Sequence, residues 1–152
     1  MTTPEERLAE LGLVVPEVVP PLAAYVPAVR QGELVFTAGQ LPTRDGEMIA
    51  TGKLGGGVSE EAGYACARQC ALNGLAAIKA EIGDLSAITR IVKLVVFVAS
   101  TPDFTAQAKV ANGASELLGE LFGDAGRHAR SAVGVAVLPL DVPVEVELIV
   151  AL

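Results

Sequence analysis

Arg130–Glu147 reads RSAVGVAVLPLDVPVEVE, and this stretch decides the fold class. Its first half alternates valine with alanine or glycine, and its second half alternates valine with Glu145 and Glu147. Because successive side chains of a strand point to opposite faces, this period of two predicts two strands, over residues 130–138 and 142–150. The segment between them contains Pro139 and predicts a turn.

The rest of the chain predicts strands and helices in alternation. Thr3 and Pro4 are typical of a helix start, and Gly83 and Gly123 are typical of helix ends. The predicted elements are a helix over Pro4–Leu13, a proline-rich connector over residues 14–23, strands over Val26–Arg30 and Glu33–Ala38 around a Gln31–Gly32 turn, a turn at Asp45–Gly46 before Glu47–Ala50, a glycine-rich loop over Thr51–Val58, a long helix over Ser59–Ile82, a strand over Ala87–Ala99, and a helix after Thr101–Asp103 that ends at Gly123.

This order of elements predicts an α/β (α+β) fold of two layers, with a mixed sheet and the two main helices on one face. At 152 residues the chain fits a single domain, in which residues 1–19 form an N-terminal helical extension and connector. The strands over residues 87–99 and 130–138 are apolar on both faces, so the face without helices needs a cover. A second copy of the chain is the economical cover, and we predict an obligate homo-oligomer.

Composition excludes several classes of protein. Hydrophobic residues make up 51% of the chain, which excludes a disordered protein. No apolar run reaches the ~20 residues that a bilayer crossing needs, and the acidic N-terminus lacks a signal pattern. We therefore predict a cytoplasmic protein with no membrane partner. The net charge of -7 opposes binding to phosphates, so we also predict no nucleic-acid partner.

Three motifs that could carry chemistry have simpler interpretations. Cys66 and Cys70 share one helical face, but no nearby residue completes a metal site, so we expect them to be small buried hydrophobic residues. His128 is the only histidine, which leaves a His-based metal site or a catalytic triad without parts. We expect His128 to be solvent-exposed or to cap a loop. The glycines of residues 52–57 lack the order of a phosphate-binding loop. For the chain as a whole, we predict no metal site.

Arg130 and Glu145 are harder to explain as surface residues. Arg130 opens an apolar strand, and Glu145 shares one strand face with Glu147. The simplest interpretation is a solvated edge with surface carboxylates. Against it, the sheet is too apolar to have an extensively wetted face. A carboxylate in this position is expected to border a cleft or a partner.

The C-terminal stretch resembles the Rid (YjgF) family, whose chains end in a pattern like R-S-x-V-x-V-x-x-L-P-x-x-x-x-V-E-I-E. The residues from Arg130 to Glu147 match that pattern without a gap. Weaker similarities lie upstream, where Pro21–Tyr25 resembles the family's G-P-Y segment and Thr37–Pro42 resembles its S-G-Q-I/L-P turn. The similarity covers roughly residues 20–152.

The resemblance implies a chorismate-mutase-like fold and a homotrimer whose sheets pack into a central barrel, with sites between subunits. It also implies hydrolytic deamination of small reactive enamines and imines, such as 2-aminoacrylate and 2-iminopropionate, to 2-keto acids and ammonia, without a cofactor. The alternative is a non-catalytic trimer of the same fold that binds a small carboxylate or has a regulatory role. In both cases the partners are a small carboxylate-bearing metabolite and other copies of the chain.

By the same resemblance, Arg130 and Glu145 are the catalytic residues. Arg130 would anchor the substrate carboxylate, which its fork of N–H donors suits, and Glu145 would position or activate water. The residues expected to bind the substrate are Arg130, Tyr25, Asn112, Gly39 and Ala132.

The chain departs from the family pattern at Ala38, Ala132 and Gly134, where serine, often cysteine, and a charged or polar residue are usual. A tight hairpin of the last two strands would place Arg130 and Glu145 roughly 13 Å apart along the ladder. That is too far for one small substrate. Either the two strands do not pair directly, or the site is completed across a subunit interface.

Overall fold

The computed structural model describes residues 1–152, and its elements follow the predicted order. The helices are α1 (Pro4–Glu10), α2 (Glu60–Ile82) and α3 (Gln107–Phe122). The strands are β1 (Ala28–Gln31), β2 (Leu34–Thr37), β3 (Thr43–Arg44), β4 (Glu47–Met48), β5 (Arg90–Ala99), β6 (Ala129–Val135) and β7 (Val144–Ala151). Short 3-10 turns lie at Leu85–Ala87, Gly123–Gly126 and Pro139–Asp141.

Side-chain caps explain where the helices begin. The hydroxyl of Thr3 accepts from the backbone N–H of Glu6 at 3.1 Å, and the Glu6 carboxylate accepts from the N–H of Thr3 at 2.7 Å. The hydroxyl of Ser59 caps α2 by accepting from the backbone N–H of Ala62 at 3.1 Å. These caps use backbone donors that have no partner inside a helix, and each typically stabilises a helix by about 1 kcal/mol. Helix α1 ends at Glu10 rather than at the predicted Leu13, because Gly12 adopts a left-handed conformation with φ 72°.

The main sheet has five strands in the order β1-β2-β7-β5-β6. Strand β6 runs parallel to β5, while the other neighbouring pairs are antiparallel, so the predicted mixed sheet is confirmed. Strands β6 and β7 do not pair directly, because β5 lies between them. Strand β6 also ends at Val135 rather than at the predicted Leu138, and the 3-10 turn that follows carries the chain past the end of β5.

Two hairpins lie in the first half of the chain. Residues Gln31 and Leu34 are paired, so the β1–β2 turn is formed by positions 32 and 33, one residue later than predicted. The predicted Asp45–Gly46 turn is confirmed between β3 and β4. Both of its residues have positive φ, 53° and 83°, as in the type I′ turn of a two-residue hairpin.

Helices α2 and α3 cover one face of the main sheet, as predicted. The buried side chains of β5 and β7 alternate with partly exposed ones and pack with both helices in a core of 29 buried residues. Wherever a buried leucine or valine points to the helices, its strand neighbours point to the opposite face. The alternation seen in the sequence therefore sets which residues face the core.

The opposite face of the sheet carries many apolar side chains, and no helix of the chain covers it. Val29, Phe36 and Val133 on this face are 49%, 40% and 45% exposed. Ile149 and the Phe97 side chain lie on it as well, both only partly buried. The predicted uncovered apolar face is thus present in the single chain.

Helix α1 fastens the N-terminal segment to the helical layer. Leu8 is almost fully buried, which by itself is worth about 2 kcal/mol. Lys79 forms an ion pair with Glu5 at 2.8 Å, and the Arg7 guanidinium donates to the carbonyl of Leu121 at 3.3 Å. Because α1 is held in this way, the connector after it is directed along the β3–β4 hairpin toward β1.

Candidate functional site

Glu145 lies on the face of β7 that points away from the helices. Its neighbours Val144 and Val146 are fully buried under the helical layer, so the strand period places the carboxylate on the other face. The loop after β2 closes over this strand: the N–H of Gln40 donates to the carbonyl of Val146 at 2.7 Å, and the N–H of Val146 donates back at 3.0 Å. This pair of bonds holds Gly39 directly against the Glu145 carboxylate.

The surroundings of Glu145 favour its protonated form. Burial raises the pKa of the Glu145 carboxyl above its ordinary value, and the negative charge of Glu147 on the same face raises it further. A carboxylate with a raised pKa is a stronger base than an ordinary glutamate, which suits a group that exchanges a proton with water.

A cleft of about 440 Å³ opens beside Glu145. One wall is the connector before β1, another is the loop after β2, and Pro139 borders the cleft from the turn before β7. Tyr25 lines this cleft, and its hydroxyl accepts from the backbone N–H of Leu22 at 3.2 Å. The structure therefore brings together three of the predicted site residues, namely Tyr25, Gly39 and Glu145.

Arg130 lies in a different place, where the edge strand β6 meets α3. Its Nη1 atom donates to Oδ1 of Asn112 at 2.8 Å and to Oγ of Ser115 at 3.0 Å, and its Nη2 atom donates to the carbonyl of Ala108 at 3.3 Å. The guanidinium is thus fixed against one helix by three acceptors, none of which is a carboxylate. Its positive charge has no ion-pair partner within the chain.

His128 and Ser115 extend the bonds around Arg130. The Nδ1 atom of His128 lies 2.6 Å from the carbonyl oxygen of Gly126, which can only accept, so Nδ1 carries the proton. In the neutral ring Nε2 is then an acceptor, and it lies 2.9 Å from the hydroxyl of Ser115. His128 does cap a loop, as expected, but it is partly buried rather than solvent-exposed.

Two more predicted residues lie on the Arg130 side. Asn112 bonds to Arg130 directly, and Ala132 lies two residues farther along β6 on the same strand face, packed against the core. Gly134 follows on that face, where an added Cβ would lie 2.8 Å from Nε2 of Gln107. A larger residue at position 134 would therefore displace the Gln107 side chain.

The two halves of the predicted site are far apart within one chain. Through β5, Arg130 is in register with Leu94, whereas Glu145 is in register with Phe97. With strands about 4.8 Å apart and residues about 3.3 Å apart along them, the two positions are roughly 14 Å from each other. Leu94 is buried under the helices and Phe97 lies on the opposite face, so the two side chains also leave opposite faces of the sheet.

Sequence reasoning missed Ser115 as part of the site and did not connect His128 with Arg130. Ser115 follows Asn112 by one helical turn, and this spacing puts both on one face of α3. That spacing was the available signal for Ser115. Nothing in the sequence indicates that His128 reaches back to α3, because this contact depends on the turn at Gly123–Gly126.

The remaining groups that could bind or react have structural roles. Cys66 and Cys70 are buried free thiols, and burial raises the pKa of Cys66 to about 11. A thiol with that pKa stays protonated at neutral pH, which agrees with the predicted hydrophobic role. No group of three or more His, Cys, Asp or Glu side chains is arranged to hold a metal ion. None of the helices has the length and apolarity to cross a membrane.

Comparison with known proteins assigns the fold to a class. The family model described as "YjgF/chorismate mutase-like, putative endoribonuclease" matches residues 5–152. The mixed sheet with helices on one face therefore has the chorismate-mutase-like fold that the resemblance implied. The chain belongs to the YjgF/RidA-like family.

Individual relatives agree with this assignment over nearly the whole chain. "Protein TCP17" of Trypanosoma cruzi is 46% identical, over 96% of this chain and 92% of its own length. A crystal structure from Shewanella oneidensis, described as a "putative endoribonuclease", is 37% identical with a TM-score of 0.96, over 99% of each chain. E. coli TdcF, solved with bound serine, is 30% identical with a TM-score of 0.61, over 91% of this chain and 93% of that one.

Proposed function

We propose that this protein hydrolyses small reactive enamines and imines that carry a carboxylate, such as 2-aminoacrylate and 2-iminopropionate, to 2-keto acids and ammonia. The observation that carries the proposal is the pair formed by a fixed arginine without an ion-pair partner and a carboxyl with a raised pKa in a cleft. Both residues fall in the family pattern, at Arg130 and Glu145. The serine bound to E. coli TdcF supports a small amino-acid-like ligand.

The two residues have complementary roles in this proposal. The guanidinium of Arg130 binds the substrate carboxylate and fixes its orientation, since its N–H donors form a rigid fork. Glu145 directs a water molecule at the imine carbon and exchanges a proton with it. Water adds to the carbon, the carbon–nitrogen bond breaks, and the nitrogen leaves as ammonia, so an imino acid and water give a 2-keto acid and ammonia.

The site is shared between two copies of the chain in this proposal. Within one chain Arg130 and Glu145 lie roughly 14 Å apart and on opposite faces of the sheet, too far apart to hold a molecule of a few atoms. The exposed apolar face that includes Phe36 and Val133 supports an oligomer, because burying this face against another subunit removes apolar surface from water. We propose a homotrimer in which the Arg130 half of one subunit faces the Glu145 half of its neighbour.

The test generates 2-iminopropionate in solution from alanine with an amino-acid oxidase and follows its loss. We expect the wild-type protein to accelerate the loss, and Arg130→Ala and Glu145→Gln each to abolish at least about 99% of the acceleration. Glu10→Gln, at the exposed end of α1, is the control and should keep full activity. If wild type accelerates the loss of no imine but binds 2-keto acids, the alternative of a non-catalytic carboxylate-binding trimer replaces this proposal.

Mixing the two inactive variants tests the shared site. When Arg130→Ala and Glu145→Gln subunits are unfolded together and reassembled in equal amounts, a neighbouring pair has both native residues in about one case of four, so roughly a quarter of wild-type activity should return. A site built within one subunit would recover none. Size-exclusion chromatography with light scattering measures the oligomer in the same samples.

A further inference from the structure

The cleft beside Glu145 is much larger than a methyl-bearing imine requires. Its volume of about 440 Å³ lies in the range that holds drug-sized ligands, whereas the substrate named above has only a few heavy atoms. A methyl side chain would therefore fill only a small part of the cleft. The excess space lies among residues that the proposed reaction does not use.

The walls of that space are apolar and come mainly from the N-terminal connector. Val19, Pro20 and Leu22 line it from the connector, and Leu41 and Met48 line it from the opposite side. The N-terminal end of the connector is held in place, because Leu8 and the Glu5–Lys79 ion pair fix α1 on the helical layer.

Charge restricts the ligand further. Among the residues that line the cleft, Glu145 is the only charged side chain, and Gln40 and Thr43 are the other polar ones apart from Tyr25. The amide of Gln40 is already engaged, since its Nε2 donates to the carbonyl of Ala38 at 3.1 Å. An anionic side chain would lose water here without gaining a counter-ion, which is costly. A cationic side chain would pair with Glu145, the carboxyl that the proposed reaction needs.

We infer that this cleft is the side-chain pocket of the site and that the substrate is an imino acid with an uncharged apolar side chain at least as large as that of leucine. The inference rests on the proposed function for the reaction, and on the cleft alone for the choice of side chain. Each methylene that enters such a pocket raises the affinity several-fold. A side chain with three more carbons than a methyl group should therefore bind clearly more tightly.

The experiment compares imines made in solution from leucine and from alanine. We expect kcat/KM of the wild-type protein to be at least about tenfold higher for the leucine-derived imine. Leu22→Asn keeps the size of the side chain and makes the wall polar, so it should lower this preference at least about threefold. Val14→Asn is the control, because Val14 is exposed on the same connector but does not line the cleft, and it should leave the preference unchanged.

A binding measurement keeps this inference separate from catalysis. Calorimetry with the two product acids, pyruvate and 4-methyl-2-oxopentanoate, should show at least about tenfold tighter binding of the larger acid. Equal or tighter binding of pyruvate, or an equal or higher kcat/KM for the alanine-derived imine, would overturn the inference even if deamination is fast. Selective binding of the larger acid without turnover of any imine would support the pocket and refute the proposed reaction.

Discussion

A Cβ atom added to Gly39 would lie 2.6 Å from Oε1 of Glu145. This approach exists because the loop after β2 pairs with β7 through Gln40 and Val146. The atom that an added methyl group would meet is the tip of a flexible side chain, so the carboxylate would move and the backbone would stay. Glycine at position 39 therefore fixes where the Glu145 carboxylate can be.

Gly39→Ala should lower activity without unfolding the protein. A shift of about 1 Å in a reacting group costs up to a hundredfold in rate, so we expect kcat/KM for the imine substrate to fall by about ten- to a hundredfold. The melting temperature should change little. Gly57→Ala is the matched control, since an added Cβ there meets no atom within 4 Å and the backbone is free of strain. Unchanged kcat/KM in Gly39→Ala would show that the position of Glu145 is unimportant.

Glu147→Gln should move the pH dependence of activity. The negative charge of Glu147 helps to raise the pKa of Glu145, so its removal lowers that pKa toward the ordinary value. We expect the acidic limb of the kcat/KM profile to shift to lower pH. Glu10→Gln removes the same charge at a distant exposed position and should leave the limb in place.

The same change predicts the direction of a stability effect. A carboxyl whose pKa is raised by folding contributes stability that is fully present below its unfolded pKa and is lost as pH rises through its folded pKa. With the pKa of Glu145 lowered, the Glu147→Gln protein should lose less stability between acidic and neutral pH than wild type. Urea titrations of both proteins at several pH values measure this; parallel curves would contradict it.

Ser115→Ala and His128→Ala should both weaken substrate binding through Arg130. Either change removes a hydrogen bond of the network that holds the guanidinium against α3. The substrate carboxylate then has to fix the orientation of a more mobile guanidinium when it binds. We expect KM to rise about fivefold in each variant with kcat within about twofold of wild type, and the double variant to add little. Ser86→Ala, in a distant turn, is the control. A fall in kcat at unchanged KM would instead indicate that this pair takes part in the chemical step.

Asn73→Ala should destabilise the protein and loosen the loop beside the cleft. The buried Nδ2 atom of Asn73 donates to the carbonyls of Leu41 and Thr43, both at 2.9 Å. Loss of these bonds leaves the Thr43 carbonyl without its side-chain donor and leaves the Leu41 carbonyl with only the N–H of Thr43, so the free energy of unfolding should fall by about 2 kcal/mol. Gln69→Ala removes a single bond to Asn73 at a partly exposed position and should cost less than about 1 kcal/mol. Equal losses in the two variants would contradict this account.

Local features of the fold could be predicted because they depend on neighbours in the sequence. The caps at Thr3 and Ser59, the left-handed residues Asp45 and Gly46, and the alternation around Glu145 all act within a few residues. The predicted ends of α1 and β6 were wrong. A left-handed residue stops α1 and a tight turn stops β6, although the composition of each segment would allow it to continue.

The sequence by itself determined the family, through the motif that it matches from Arg130 to Glu147. It also determined the face of β7 on which Glu145 lies, because that face follows from a local pattern with a period of two. Only the tertiary structure decided that β5 lies between β6 and β7, which separates Arg130 from Glu145. It also decided that Ser115 and His128 hold Arg130, and that the connector from Val19 to Leu22 walls the cleft. These relationships join residues far apart along the chain, and strand order and packing, rather than local pattern, bring them together.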